Sequence, residues 1–337
     1  MTAPVAGVIG AGAWGTALAQ VLASDGQAVR LWAREPEVVT AISDQRVNSL
    51  FLPDIALSAD IAVTGNMADM ADCPVLLIVA PAQHLRAVLA SLPEGDAPLV
   101  LCAKGIEADS GKLMCDVARH AAPGRKIAIL SGPTFAHEVA RGLPAAVTLA
   151  CEDEALWEEL SPRIARPAFR PYYSDDVIGA EIGGAVKNVL AIGCGVVAGA
   201  GLGLNARAAL ISRGFAEMTR FGLAKGARAE TLAGLSGLGD LVLTCSSENS
   251  RNFSLGKGLG EGMAAADLLG NRRTVAEGAA TAPVLAREAA RMHVDMPIVA
   301  AVCQLLDGGA GVDEVVADLL ARPLRSEQSP TVNRGQG

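Results

Sequence analysis

Between residues 1 and 175 the chain alternates short aliphatic, β-branched runs with segments of helical spacing. The runs are Val5–Ile9, Ala28–Trp32, Ile61–Thr64, Val75–Val79, Leu99–Cys102, Lys126–Leu130, Ala145–Leu149 and Phe169–Tyr173. Several are unbroken, as in Val75-Leu76-Leu77-Ile78-Val79, and a strand apolar on both sides needs cover on both faces. Strand–helix alternation of this kind predicts a parallel sheet wrapped by helices. From Ile182 onward the text turns Ala-, Gly- and Leu-rich with helical periodicity. The expected division is therefore a sheet domain over 1–180 and an all-α domain over 181–325, with 326–337 a loose, flexible tail. Asn188 to Leu204 lacks charge for 17 residues, but five of them are glycines and Lys187 and Arg207 bracket the run. A buried core helix ending in a Gly-rich loop fits better than a membrane span.

Gly10-Ala11-Gly12-Ala13-Trp14-Gly15 follows the first strand and opens a helix, with a second strand soon after. Spacing alone is weak evidence; this context makes it a dinucleotide motif. Gly10 allows the tight turn, Gly12 lets a pyrophosphate approach the backbone, and Gly15 lets helix pack on strand. The helix amides and dipole then favour the phosphates. The fold expected is α/β: an N-terminal Rossmann-type doubly wound sheet followed by an all-α C-terminal domain. A cation at the tip of the second strand favours a 2′-phosphate, a carboxylate the ribose hydroxyl. Arg34 stands at that tip, which favours NADPH with NADH tolerated; Glu35 takes the carboxylate role if the strand ends one residue later.

Composition narrows the classes. Of 337 residues, 51% are apolar and 19% charged, which excludes a disordered chain. The net charge of -8, without a long basic run, argues against nucleic acid as a partner. Seven cysteines, an odd number with no C-x-x-C pair, fit buried reduced thiols of a cytosolic protein. The four histidines show no ligand spacing, so no metal is expected. The amino terminus lacks a basic n-region, so no signal peptide is expected. The low charged fraction hints at a homodimer.

Candidate chemistry lies in four segments. Lys104 follows an apolar strand, where a doubly wound sheet binds ligands, although surface lysines also occur there. Lys187, in Gly183-Gly184-Ala185-Val186-Lys187-Asn188, is the one charge between Glu181 and Arg207. Such a lysine pairs, snorkels to water, or loses basicity on burial. With a lowered pKa it is a general acid/base, and a nearby Lys104 would lower it further. The paired glycines admit another backbone or a nicotinamide. Asp240 sits in an apolar frame, Gly237-Leu238-Gly239-Asp240-Leu241-Val242-Leu243-Thr244, and needs a partner. Ser250-Arg251-Asn252 precedes a helix and is either an anion site or an N-cap with a surface arginine.

Together these segments, with Ser131-Gly132-Pro133-Thr134-Phe135-Ala136, resemble the NAD(P)-dependent glycerol-3-phosphate dehydrogenases of the bacterial type over nearly the whole chain. The resemblance implies a cytoplasmic oxidoreductase interconverting dihydroxyacetone phosphate and sn-glycerol 3-phosphate, feeding phospholipid synthesis. It implies Lys187 as proton donor/acceptor, with Lys104 and Asp240 completing the catalytic set and Lys104 touching cofactor and substrate. Gly132, Thr134, Asn188, Asp240 and Thr244 would line the substrate, with Ser250, Arg251 and Asn252 around its phosphate. Ala13, Trp14, Arg34, Ala136, Arg251, Val275 and Glu277 would reach the cofactor. Ala13 departs from the family's common serine, and Ala80-Pro81-Ala82-Gln83 lacks a serine often found after that proline. The alternatives are a β-hydroxyacid or 6-phosphogluconate type dehydrogenase, or a non-catalytic NAD(P)H-sensing protein.

Overall fold

The computed structural model describes residues 3–270 and 276–323; Val275 and the expected tail 326–337 lie outside them. The elements run β1 (Ala6–Ile9), α1 (Ala13–Leu22), β2 (Val29–Trp32), α2 (Pro36–Gln45), β3 (Ile61–Thr64), β4 (Leu76–Ile78), α3 (Leu85–Ala90), β5 (Leu99–Leu101), α4 (Met114–Ala121), β6 (Ile127–Ser131), α5 (Ala136–Ala140), β7 (Ala145–Ala150), α6 (Glu154–Ile164) and β8 (Phe169–Ser174). Helices follow: α7 (Val177–Gly199), α8 (Gly203–Lys225), α9 (Ala229–Leu232), a π-helical turn at Leu235–Gly239, α10 (Asp240–Cys245), α11 (Arg251–Gly260), α12 (Ala265–Gly270), α13 (Glu277–Arg291), α14 (Pro297–Asp307) and α15 (Val312–Leu320).

All eight strands join one sheet in the order β3-β2-β1-β4-β5-β6-β7-β8. Val8 of β1 pairs in parallel with Leu31 on one side and Leu77 on the other, so the winding reverses between β1 and β4. A ligand crevice is expected beyond the carboxyl ends of the strands at that point. The sheet is not parallel throughout. β7 runs antiparallel to β6, with Leu130 opposite Leu149, and β8 follows β7 in parallel. The reason is the β6–β7 connection. Its helix α5 has five residues and advances about 7.5 Å, well short of the roughly 17 Å of a five-residue strand. It cannot return the chain to the amino edge, and packs against α1 instead.

Alternate strand residues enter two cores. Val8, Leu77, Val100 and Leu130 pack with Leu18 and Leu22 of α1. Ile9, Ile78, Leu101 and Ile129 pack with Leu85 and Leu89 of α3 and Val117 of α4. This explains the unbroken apolar runs. A third core surrounds α7, which is buried from Gly179 to Val197 beneath α8, α10, α11, α13 and α14. α7 is the one helix among the described residues long and apolar enough to cross a membrane, and its apolar surface is spent on these neighbours. The closest of them is α11. A Cβ at Gly195 or Gly199 would overlap the carbonyl of Phe253 or Lys257, and one at Gly256 or Gly260 that of Ile192 or Val196. Backbone therefore lies on backbone. All seven cysteines are unpaired, and all but Cys303 are buried.

Candidate active site

The dinucleotide loop begins at Gly10, whose φ of 111° suits glycine. A Cβ there would lie 2.5 Å from the Val79 carbonyl oxygen. A Cβ on Gly15 would overlap the Gly10 carbonyl, so Gly15 lets α1 sit on the loop. Gly12 is different: it N-caps α1, no side chain caps the helix, and a Cβ on it would meet nothing within 4 Å. First-turn amides of a helix lack intrahelical acceptors. Here the amides of Ala13, Trp14 and Gly15 occupy that turn beside open space, which fits a pyrophosphate. The Trp14 ring itself packs on Phe169, centroids 6.5 Å apart. At the tip of β2, Arg34 is exposed, and its Nε and Nη2 both donate to Glu35 Oε1, at 3.0 and 2.7 Å. The two candidate ribose readers are thus bound to each other.

Lys104, Lys187 and Asp240 converge. Gly183 lacks a Cβ that would strike the Ser236 carbonyl and lie 2.8 Å from Gly237 Cα, so α7 rests on the π-helical turn. Asp240, the next residue after that turn, is thereby brought under Lys187. Lys187 Nζ donates to Asp240 Oδ1 at 2.6 Å and to Thr244 Oγ1 at 2.9 Å. Lys104 Nζ donates to the other oxygen, Asp240 Oδ2, at 2.6 Å and to the Gly132 carbonyl at 3.2 Å. The glycine pair thus admits a backbone and the stem of Lys104, which a Cβ on Gly184 would meet at 3.2 Å.

Asp240 is fully buried. Burial alone would raise its pKa, but the two ammonium groups outweigh that and hold it below the usual carboxylate range. Lys187 is shifted the other way. Burial lowers it to about 8, Asp240 opposes the shift, and Lys104 adds to it. The result is an acid that is protonated at neutral pH and close to its release point.

The remaining residues border this cluster. Thr134 Oγ1 donates to the Gly132 carbonyl at 3.3 Å, and Ala136 begins α5, which leans on α1. Ser250 is the N-cap of α11, its Oγ accepting from Phe253 N at 3.3 Å. Asn252 turns inward: Nδ2 donates to Asn188 Oδ1 at 3.0 Å, and Oδ1 accepts from Gly278 N at 2.9 Å. It ties α7, α11 and α13 together, while Arg251 is exposed beside it. Burial raises the Glu277 carboxyl, against the pull of Arg251, Lys104 and Lys187, so its position is within reach of all three charges. Arg34 lies away from this cluster, just past the end of β2, and Val275 is outside the described residues. Two further polar side chains are buried: Ser131, which opens the Ser131-Gly132-Pro133 segment with no role expected of it, its hydroxyl without a partner next to Gly184, and Asn48, behind the Gly-rich loop, which carries no sequence signal.

Comparison with known proteins agrees with this geometry. Residues 5–157 match the family model described as the NAD-dependent glycerol-3-phosphate dehydrogenase N-terminus, and 176–317 the one described as its C-terminus. A protein of Erythrobacter litoralis named glycerol-3-phosphate dehydrogenase, NAD(P)+, is 67% identical over 97% of this chain and 98% of its own length. One of Novosphingobium aromaticivorans with the same name is 66% identical over 95% and 97%. The crystal structure of glycerol-3-phosphate dehydrogenase from Coxiella burnetii superposes with a TM-score of 0.90 at 36% identity, covering 94% of this chain and 98% of that one. The chain belongs to the NAD-dependent glycerol-3-phosphate dehydrogenase family.

Proposed function

We propose that this chain interconverts dihydroxyacetone phosphate and sn-glycerol 3-phosphate, with NADPH preferred and NADH accepted, in the cytoplasm, supplying glycerol 3-phosphate for phospholipid synthesis. The observation that carries the reading is the Lys104–Asp240–Lys187 cluster, with Lys104 just past the carboxyl end of β5 in the same sheet whose β1 leads into the Gly-rich loop. When bound, a reduced nicotinamide supplies the hydride to the ketone carbon. Lys187 then protonates the alkoxide oxygen as it forms, and Lys104 adds a second positive charge there. Asp240 fixes both ammonium groups and keeps two cations tolerable in a buried site. Thr244 Oγ1 accepts a hydrogen bond from one Lys187 N–H and so orients the others. The amino end of α11, with Ser250 and Arg251, receives the phosphate; binding energy there positions the ketone.

The proposed partners are thus small phosphorylated substrates; a homodimer is the proposed assembly, supported by the low charged fraction and by exposed Leu202, Leu204 and Leu223 on and before α8. The test follows loss of reduced-cofactor absorbance with dihydroxyacetone phosphate, against a panel including 3-oxoacids, and the reverse reaction with 6-phosphogluconate. Turnover confined to the triose phosphate and glycerol 3-phosphate is expected. Preference for a hydroxyacid or sugar acid, or cofactor binding without turnover, would overturn the proposal.

A further inference from the structure

We propose that Asn48 is a positioning residue for the dinucleotide, setting which way the peptide between Ala11 and Gly12 faces; this rests on the reading that the Gly-rich loop binds NAD(P). Asn48 lies in the connection between α2 and β3, far from the catalytic cluster in sequence, and is fully buried. Its Nδ2 donates to the Ala11 carbonyl at 2.8 Å and to Thr16 Oγ1 at 2.8 Å. Its Oδ1 accepts from Phe51 N at 3.1 Å. Thr16, itself buried one turn into α1, also donates to the Ala11 carbonyl, at 3.3 Å. A ring of hydrogen bonds thus closes on one carbonyl oxygen inside the motif.

The consequence follows from peptide geometry. In a trans peptide the C=O and the following N–H point in opposite directions. With the Ala11 carbonyl drawn inward by Asn48, the Gly12 N–H is directed to the opposite side, away from Asn48, at a residue open enough that a Cβ would meet nothing. That is the side a pyrophosphate approaches. Space-filling alone would call for an apolar residue, as at neighbouring Leu52, Ile55 and Leu57, because a buried amide is costly unless its groups are satisfied. Asn48 spends that cost on aiming an amide.

The test measures binding of NADPH, of adenosine 2′-monophosphate, which lacks the pyrophosphate, and of dihydroxyacetone phosphate to the full chain and to Asn48→Ala. NADPH binding should weaken about tenfold, the scale set by loss of buried hydrogen bonds. Binding of adenosine 2′-monophosphate, the KM for dihydroxyacetone phosphate and kcat at saturating cofactor should stay within about twofold. Unchanged NADPH binding, or equal weakening of all three ligands, overturns the proposal. Should Asn48→Ala not fold, Thr16→Val keeps the shape of that side chain and removes its hydroxyl; about threefold weaker NADPH binding is expected, and no change overturns the proposal. Failure of the unaltered chain to bind NADPH would instead sink the dinucleotide reading itself.

Discussion

Lys187 gives up water for one carboxylate and one hydroxyl, and its chemistry is set by how nearly they compensate. Burial lowers its pKa to about 8 despite Asp240, with Lys104 lowering it further. Ketone reduction needs the protonated amine and alcohol oxidation the neutral one. Reductive kcat should therefore fall as pH rises through about 8, while oxidative kcat rises over the same range. Asp240→Asn removes the one anion between two cations, so this limb should move to lower pH; a pH–rate profile with an unmoved limb would remove Asp240 from the role given. Lys187→Ala should cut kcat by about 10²–10⁴-fold with NADPH binding intact, and near-normal turnover would discard the acid. Just past β2, exposed Arg34 is held by half-buried Glu35, a surface pair of little intrinsic strength. If Arg34 reads the 2′-phosphate, that phosphate must displace the carboxylate, whereas NADH leaves it in place. Glu35→Gln should raise the NADPH/NADH ratio of kcat/KM a few-fold, and Arg34→Asp should reverse it. Ratios that stay constant would place the reader elsewhere.

Two helices without room for side chains between them fix the distance between Lys187 and the amino end of α11, the proposed phosphate site. Gly195 and Gly199 of α7 lie on the backbone of α11, and Gly256 and Gly260 of α11 on that of α7. The same packing sets Asn252 within 3.0 Å of Asn188, the residue after Lys187. Gly256→Ala would thrust a methyl group into the Ile192 carbonyl. It should cost about 1–3 kcal/mol of stability, as overpacking does, and raise the KM for dihydroxyacetone phosphate while NADPH binding holds. Thermal melting beside substrate titration checks this; an unchanged KM would mean that the helix spacing does not set the phosphate site. Elements of this kind were legible in the sequence only in part. Each of the eight strands lies within one residue of its expected ends, because an unbroken apolar run between turns has few other places to go. α7 was legible from its missing charges, and Lys187 and Asp240 from being charges in apolar text. The reversed β7 and β8 were not, since their direction depends on where α5 docks. Nor was Asn48, whose role exists only through bonds spanning 37 positions.

At the scale of the whole molecule, α7 belongs to two cores at once. Val177 and Ala180 pack with the sheet and Ile182 onward with the helices, so the boundary expected near residue 180 falls inside a continuous helix. One tie between the halves is Glu181. It is buried, and its Oε1 accepts from Cys115 N at 2.8 Å, at the start of α4. Burial raises its pKa from 4.5 to about 8, aided by Asp116; the Cys115 and Met114 amides and Arg119 pull it back only partly. A carboxyl whose pKa is higher folded than unfolded holds its proton better in the folded state. Its contribution is therefore greatest below about pH 4.5 and erodes as pH climbs from there to about 8. Glu217 repeats the arrangement on the start of α14, accepting from Ile298 N at 2.8 Å and Val299 N at 3.3 Å, with its pKa raised by burial to about 7. Glutamine keeps an acceptor oxygen at either place and cannot ionise. The Tm of Glu181→Gln relative to the unaltered chain should rise between pH 5 and pH 8, and that of Glu217→Gln should rise but level off near pH 7. Because each comparison subtracts every other titrating group, a Tm difference that stays flat with pH would show that the carboxylate is carried into the fold without the cost that its burial implies.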